Sequence, residues 1–205
     1  MYRKKMPAPP KGLTIPADML SELKSLYSQP RRVYHVLGHA FDVAIRTKAA
    51  PFSCPNEAFV AALFHDAVYD VKSKRNEEWS AEIAEEACLK YNLPVDAALV
   101  GKLIRATALH GVPSDLGLDE ALFCDCDAQI LGAPYRDYSV YSVDVLSEYL
   151  NTYPEEQVIA GRIRFLESML AAPSVFLTEW FRERYEDVAR KNLEASLASL
   201  SSPLL

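Results

Sequence analysis

The sequence predicts an all-α fold, with a single helical domain of about nine helices over residues 17–205. Apolar residues recur at helical spacing along most of the 205 residues, and no segment alternates apolar and polar residues over the length of a strand. Glycine is scarce, with seven in the chain, and many of the 13 prolines stand where one periodic segment gives way to the next. A chain of this length fills one hydrophobic core and is short for two.

The start of the chain differs from the rest. Residues 1–16 carry four prolines and a basic cluster, which predict an irregular N-terminal arm. Ser53, Pro55 and Glu57 predict a capped start for the third helix. Asn76 precedes two glutamates, which favour the positive end of a helix dipole, and it predicts the start of the fourth.

Prolines also mark the later joints, because a missing N–H does little harm between helices. They are Pro94, Pro113, Pro134, Pro154 and Pro173. The helices are therefore predicted over residues 17–28, 31–48, 55–71, 77–91, 95–109, 118–132, 135–151, 155–171 and 175–199.

Composition limits the kinds of partner. A net charge of −6 argues against an extended nucleic-acid surface or a charged membrane contact, although it allows a small anionic substrate in a local basic pocket. No apolar run reaches the ~20 residues of a membrane span, and no apolar segment follows the basic N-terminus as in a signal peptide. The four cysteines form no metal-binding pair, which is typical of reduced thiols. We therefore expect a cytoplasmic protein.

Histidines stand at spacings that suit a metal site. His35 and His39 are four residues apart, so on one helix they share a face, a common spacing for metal ligands. The same pair could also be two half-buried polar histidines.

His65 and Asp66 lie inside the apolar run AFVAALFHDAVYD, residues 58–70. A carboxylate there must be neutralised, paired or ligated, so either both bind one ion or Asp66 orients a buried His65.

A second acidic pair lies in ALFCDCDAQILG, residues 121–132. Asp125 and Asp127 point to nearly opposite sides of a helix, and the neighbours of Asp127 are the more consistently apolar. Asp127 is thus the predicted buried carboxylate. Asp125 is predicted to lie behind the ligands or at the surface, unless the helix is distorted.

Together these residues predict a divalent metal site. The four ligands are His39, His65, Asp66 and Asp127, which offer nitrogen and oxygen without thiolate. Such a set suits Mn²⁺, Fe²⁺, Co²⁺, Ni²⁺, Zn²⁺ or Mg²⁺, and a six-coordinate ion would keep positions open for water and a substrate oxygen.

The order of these residues resembles the HD-domain superfamily of metal-dependent phosphohydrolases. It resembles most a bacterial group of predicted HD phosphohydrolases of about 200 residues, although Val36 stands where that group tends to carry a polar residue. The shared pieces are YHVLGH (34–39), FHDAVYD (64–70), NEEWSA (76–81), ATALH (106–110), DCDAQILG (125–132) and EDVARKNL (186–193).

The resemblance implies an HD-type helical bundle that hydrolyses a phosphate ester of a nucleotide or another small molecule. Asp66 would bind the ion and take up a proton from the attacking water. Glu77 would hydrogen-bond a metal-bound water or fix the orientation of His65, or it could simply cap its helix. The residues of such a phosphohydrolase that bind the substrate would include Arg31, Arg32, His35 and His110. The two arginines could equally be a solvated helix start, and His110 could bind a second metal or favour a helix end.

Two other functions fit the same residues. One is a di-iron oxygenase on an HD-type scaffold, which would recruit His35 or His110 and a second aspartate as additional ligands. The other is a non-catalytic helical module that binds a nucleotide. The apolar stripe of the last helix would cover the core or a partner in a homodimer.

Overall fold

The structure, a computed structural model, describes residues 5–109 and 116–201, and in these residues the fold is all α with no strand. This confirms the predicted fold class. None of the described helices combines the length and the apolar character that crossing a membrane requires. The helices are α1 (Ala17–Leu26), α2 (Leu37–Thr47), α3 (Pro55–Phe64), α4 (Asn76–Lys90), α5 (Ala97–Ala106), α6 (Leu118–Ala128), α7 (Tyr135–Leu150), α8 (Glu155–Ala171) and α9 (Glu179–Ser201).

Helix α3 lies at the centre of the molecule. Its seven residues from Ala58 to Phe64 are all buried, as expected for a helix that is apolar on every side. It packs against α2, α4 and α5, and one hydrophobic core includes residues from Leu13 to Leu193. The chain therefore leaves the end of α3 deep inside the protein, which is where His65 and Asp66 follow.

The second helix begins later than predicted. It starts at Leu37 and not at residue 31, and Arg31 has a φ of 81°, which no right-handed helix accommodates. The Glu148 carboxylate of α7 accepts the backbone N–H groups of Val33, Tyr34 and His35. These donors are satisfied without helix formation, so His35 precedes α2 and does not share a helix face with His39.

The third helix also ends early. It stops at Phe64 and not at residue 71, and a tight turn follows in which the Ala67 N–H donates to the Phe64 carbonyl. The Ser80 hydroxyl of α4 then accepts the Val68 N–H. His65 and Asp66 thus lie on a turn, where two adjacent side chains can approach one point more easily than on a continuous helix.

Two predicted caps are replaced by longer-range bonds. Ser53 does not cap α3; its hydroxyl and N–H bond to Asp119 of α6. The Asn76 side chain bonds to the backbone of Asp70 and so closes the turn before α4. Asp96 is a true side-chain cap, because it accepts the N–H groups of the first turn of α5.

The structure describes part of the predicted N-terminal arm and most of the last helix of the predicted domain. Residues 5–16 hold no helix, but Leu13 among them is buried in the core. At the other end, α9 places Ala189 and Leu193 in the core, and Asn192 donates to the carbonyls of Leu131 and Ala133. The apolar stripe of the last helix therefore covers the protein's own core, while a homodimer stays a prediction.

Candidate metal centre

Four side chains from three parts of the chain converge on one point. His39 comes from the first turn of α2, His65 and Asp66 from the turn after α3, and Asp127 from the last turn of α6. The Nε2 atoms of His39 and His65 are 3.0 Å apart. Asp127 Oδ1 lies 3.0 Å from His39 Nε2 and 3.4 Å from His65 Nε2.

Asp66 closes the group. Its Oδ2 lies 3.0 Å from His65 Nε2 and 3.5 Å from His39 Nε2. Two ligand atoms at right angles on an ion with bonds of about 2.1 Å are about 3.0 Å apart, and at tetrahedral angles about 3.4 Å apart. The distances within the cluster are those of donors around a single cation. His39, His65 and Asp127 in particular form a group that can hold a metal ion.

The two histidines differ in how their outer nitrogens are held. His65 Nδ1 lies 3.0 Å from the carbonyl oxygen of Ala62, so it donates a proton there and directs Nε2 into the cluster. His39 Nδ1 is buried without a hydrogen-bond partner, and the ring packs 4.6 Å from that of Tyr34. His65 thus has the backing typical of a metal ligand, and His39 is oriented by packing.

Electrostatics favour a cation in the cluster. Burial lowers the pKa of His39, although the hydrogen bond that His39 donates to Asp127 acts to raise it. The net lowering keeps this imidazole neutral. Burial also acts to lower the pKa of His65, but the charge of Asp66 and the bond to Asp127 raise it well above its usual value. Burial raises the pKa of both carboxyls, yet the histidines lower it overall, so both stay ionised.

The second aspartate of the acidic pair has a different role from the one predicted. Asp125 is 1% exposed and bonds to the start of α9, so it is neither behind the candidate ligands nor at the surface. Asp125, and not Asp127 with its 17% exposed side chain, is thus the more buried carboxylate of the pair. Its carboxylate accepts the N–H groups of Leu177 and Thr178 and the Thr178 hydroxyl. Burial raises its pKa, against those bonds. The prediction was wrong because the apolar face of α6 alone does not reveal the polar end of a distant helix.

The two arginines predicted to bind phosphate are placed elsewhere. Arg32 donates to the carbonyl oxygens of His35, Asp66 and Ala67. Its Nη2 also donates to the Gln29 side chain, so Arg32 holds the ligand-bearing turn from behind instead of facing substrate. Arg31 is exposed and does not line the cavity next to the cluster.

His35 lies beside the cluster without joining it. Its Nδ1 is 2.6 Å from Glu148 Oε2, and its ring stacks on Tyr69 at a centroid distance of 3.9 Å. Sequence reasoning missed Glu148, which is 2% exposed, because its partners are 113 to 115 residues away. Burial raises the pKa of Glu148, but the bonds from His35 and the backbone lower it overall.

The cluster opens into a cavity of about 880 Å³. The two histidine ligands are buried, while Asp66 and Asp127 each keep 17% of the side chain exposed, so the open side of the cluster is the carboxylate side. Glu77 lines the same cavity from the first turn of α4. His110 lies outside the described residues. The cavity has the size of a small-molecule site.

The fold and the cluster define an all-α protein with a two-histidine, two-carboxylate centre at the end of a cavity. The chain matches no protein-family model, no curated protein and no solved structure. The resemblance to the HD-domain superfamily therefore stays a prediction from the motifs.

Proposed function

We propose that the protein is a metal-dependent phosphohydrolase of the HD type that cleaves a phosphate ester of a small molecule, with nucleotides among the possible substrates. The observation that supports this most is the convergence of His39, His65, Asp66 and Asp127 at distances of 3.0 to 3.5 Å, at the end of a cavity of about 880 Å³. The ion would be one of Mn²⁺, Fe²⁺, Co²⁺, Ni²⁺, Zn²⁺ and Mg²⁺.

The chemistry divides between the ion and the chain. A bound divalent ion lowers the pKa of a water molecule and polarises a phosphoryl oxygen. Asp66 and Asp127 would hold the ion as charged ligands, because the neighbouring histidines keep their pKa values low. Asp66 also faces the cavity, where it can accept a proton within hydrogen-bond reach. Glu77 lines the cavity too and is the second carboxylate available for proton transfer.

Phosphate compounds supplied with single metals test this function. Metal-stripped protein is assayed against a panel of phosphate esters with Mn²⁺, Co²⁺, Ni²⁺ or Mg²⁺, and we expect hydrolysis that requires an added ion. Asp127→Asn removes a charged ligand and should lower kcat/KM at least about 100-fold. Asp187→Asn, an exposed position on α9, is the matched control and should change little.

The alternatives give different results in the same assay. A non-catalytic module would be stabilised by ions or nucleotides without hydrolysing any compound. A di-iron oxygenase would bind two irons per chain and consume oxygen. Of the two histidines that could supply its extra ligand, His35 uses Nδ1 to bond Glu148, and His110 lies outside the described residues. Hydrolysis that survives both chelation and Asp127→Asn would contradict the proposed function.

A further inference from the structure

Helix α8 carries an arginine that is buried without a carboxylate partner. Arg162 is 8% exposed, and no Asp or Glu among residues 5–109 and 116–201 forms an ion pair with it. Arg105 on α5, by comparison, pairs with Glu78 and Glu85, and the partly buried Arg32 donates to three backbone carbonyls. A buried charge without a counter-ion is costly, so a protein that keeps one often supplies the counter-ion from a ligand.

The contacts of Arg162 leave donor capacity unused. Nη2 donates to the Tyr138 hydroxyl at 3.4 Å and to the Ser142 hydroxyl at 3.3 Å, both long bonds to neutral groups of α7. Nε is buried with no hydrogen-bond partner. The guanidinium also packs near the rings of Tyr141 and Phe165, at 5.5 and 5.0 Å from their centroids. These contacts orient the charge, and none neutralises it.

Arg162 lines the same cavity as Asp66 and Asp127. A series of aromatic contacts links Arg162 to the cluster: the Tyr141 ring near Arg162 lies 4.8 Å from the Tyr34 ring, which lies 4.6 Å from the His39 ring. The cavity is thus lined by both carboxylates of the cluster, by aromatic residues and by the buried guanidinium of Arg162. Its other arginine, Arg164, is exposed.

We propose that Arg162 binds a second anionic group of the substrate, a phosphate or a carboxylate, while the phosphoryl group that is cleaved lies at the metal cluster. The planar guanidinium suits paired hydrogen bonds to either anion. The inference rests on the proposed function and narrows it to phosphate esters that carry a further negative charge on the part released. Val145, Leu146 and several aromatic residues also line the cavity, and such apolar surface suits an uncharged part of the substrate.

A series of substrates measures the second anion directly. α,ω-Alkanediol bisphosphates with two to six carbons are compared with alkyl monophosphates of the same lengths, under the best metal ion. For the wild-type protein we expect kcat/KM to favour the bisphosphate at least about tenfold at one length. Arg162→Gln should remove that preference, mainly through KM, and Arg162→Lys should restore part of it. Arg164→Gln, the matched control, should keep it.

A binding measurement separates this inference from the proposed function. In metal-stripped protein, Asp66 and Asp127 repel anions, so butyl phosphate should bind at Arg162 alone. It should raise the melting temperature of the wild type and of Arg164→Gln but not that of Arg162→Gln. If this stabilisation depends on Arg162 while no ester is hydrolysed with any ion, the anion site is supported and the phosphohydrolase is rejected.

Other results would overturn the inference. If Arg162→Gln lowers kcat/KM equally for monophosphates and bisphosphates, the arginine contacts the reacting phosphoryl group or only supports the packing of α7 against α8. If Arg162→Gln fails to fold, the wild-type series still decides, because no preference for a bisphosphate at any length contradicts a second anion site. If butyl phosphate raises the melting temperatures of Arg162→Lys and Arg162→Gln as much as that of the wild type, a second anion site at Arg162 is also contradicted.

Discussion

The two imidazoles of the cluster face each other through Nε2 atoms only 3.0 Å apart. Two nitrogen lone pairs at that distance repel unless a proton or a cation lies between them. His65 can carry such a proton because its pKa is raised, and its Nδ1 donates to the Ala62 carbonyl. A divalent cation would replace the proton and also satisfy both carboxylates, so the cluster has a reason to bind metal beyond the mere presence of ligand types.

Metal-dependent stability tests this at the level of one residue. An ion present at 100 times its Kd should stabilise the wild-type protein by about 2.7 kcal/mol, which corresponds to a rise of about 5–10 °C in melting temperature. Asp66→Ala removes a charged ligand, so most of the rise should disappear. The measurement is a thermal melt of metal-stripped protein with and without Mn²⁺. Asp187→Ala, exposed on α9, should keep the full rise; an equal rise in both variants would exclude Asp66 as a ligand.

Sequence reasoning found residues of the cluster because each breaks a pattern: His65 and Asp66 interrupt an apolar run, and Asp127 has apolar neighbours. It did not find Glu148 or Arg162, which lie on α7 and α8 among other polar residues. Whether such a residue is buried depends on helices that pack from far along the chain. The local pattern of apolar residues does not predict that packing.

At the level of elements, one carboxylate shapes the segment before α2. Glu148 accepts three consecutive backbone N–H groups and the His35 ring, and thereby fixes an irregular stretch where periodicity predicts helix. The spacing of apolar residues predicts that a segment is helical. Where the helix begins and ends depends on which groups accept the hydrogen bonds of its terminal backbone N–H groups. The same applies to the turn that holds His65 and Asp66, which Arg32 and Ser80 stabilise from outside α3.

Replacing the charge of Glu148 should loosen this segment. Glu148→Gln weakens bonds to a charged acceptor, so we expect a loss of about 1–3 kcal/mol in the free energy of unfolding at pH 7, measured by urea denaturation. The folded pKa of Glu148 lies below its ordinary value of 4.5. Its contribution is therefore present above about pH 4.5 and is lost as the pH falls through the folded pKa.

The pH profile gives the prediction its control. Stability of the wild type should fall more steeply below pH 4.5 than that of Glu148→Gln, so the difference between them should shrink in acid. Glu194→Gln, at an exposed position of α9, should follow the wild type at every pH. A difference that stays constant from pH 7 to pH 3 would show that the carboxylate charge is not what stabilises the segment.

For the whole molecule, α9 holds in place the region that carries Asp127. Asp125 caps the start of α9, and Asn192 bonds to the carbonyls of Leu131 and Ala133, so the helix is tied to both sides of the 3₁₀ turn Gln129–Gly132 that follows α6. The last described helix thus supports the position of Asp127 through bonds to residues on either side of it. Such an arrangement follows from tertiary packing and has no local signal in the sequence.

Gly132 tests that connection, because the backbone of α9 lies directly against it. A Cβ on Gly132 would come within 2.7 Å of Tyr185 Cβ and 3.0 Å of the Tyr185 carbonyl oxygen, and neither atom can move without the helix. Gly132→Ala should lower the free energy of unfolding by about 1–3 kcal/mol and weaken the affinity for Mn²⁺ by displacing Asp127. Both effects are measurable, by urea denaturation and by metal titration.

Gly161 supplies the matched control for this substitution. A Cβ there meets only the end of the Arg164 side chain, at 3.8 Å, and it lies within α8. Gly161→Ala should therefore be neutral or stabilise the protein by up to about 1 kcal/mol, because alanine has a higher helix propensity than glycine in a helix interior. If Gly132→Ala is destabilised as expected yet binds Mn²⁺ like the wild type, the packing of α9 supports the fold without positioning Asp127. If both alanine variants keep wild-type stability, α9 is not fixed against the turn in the way the structure shows.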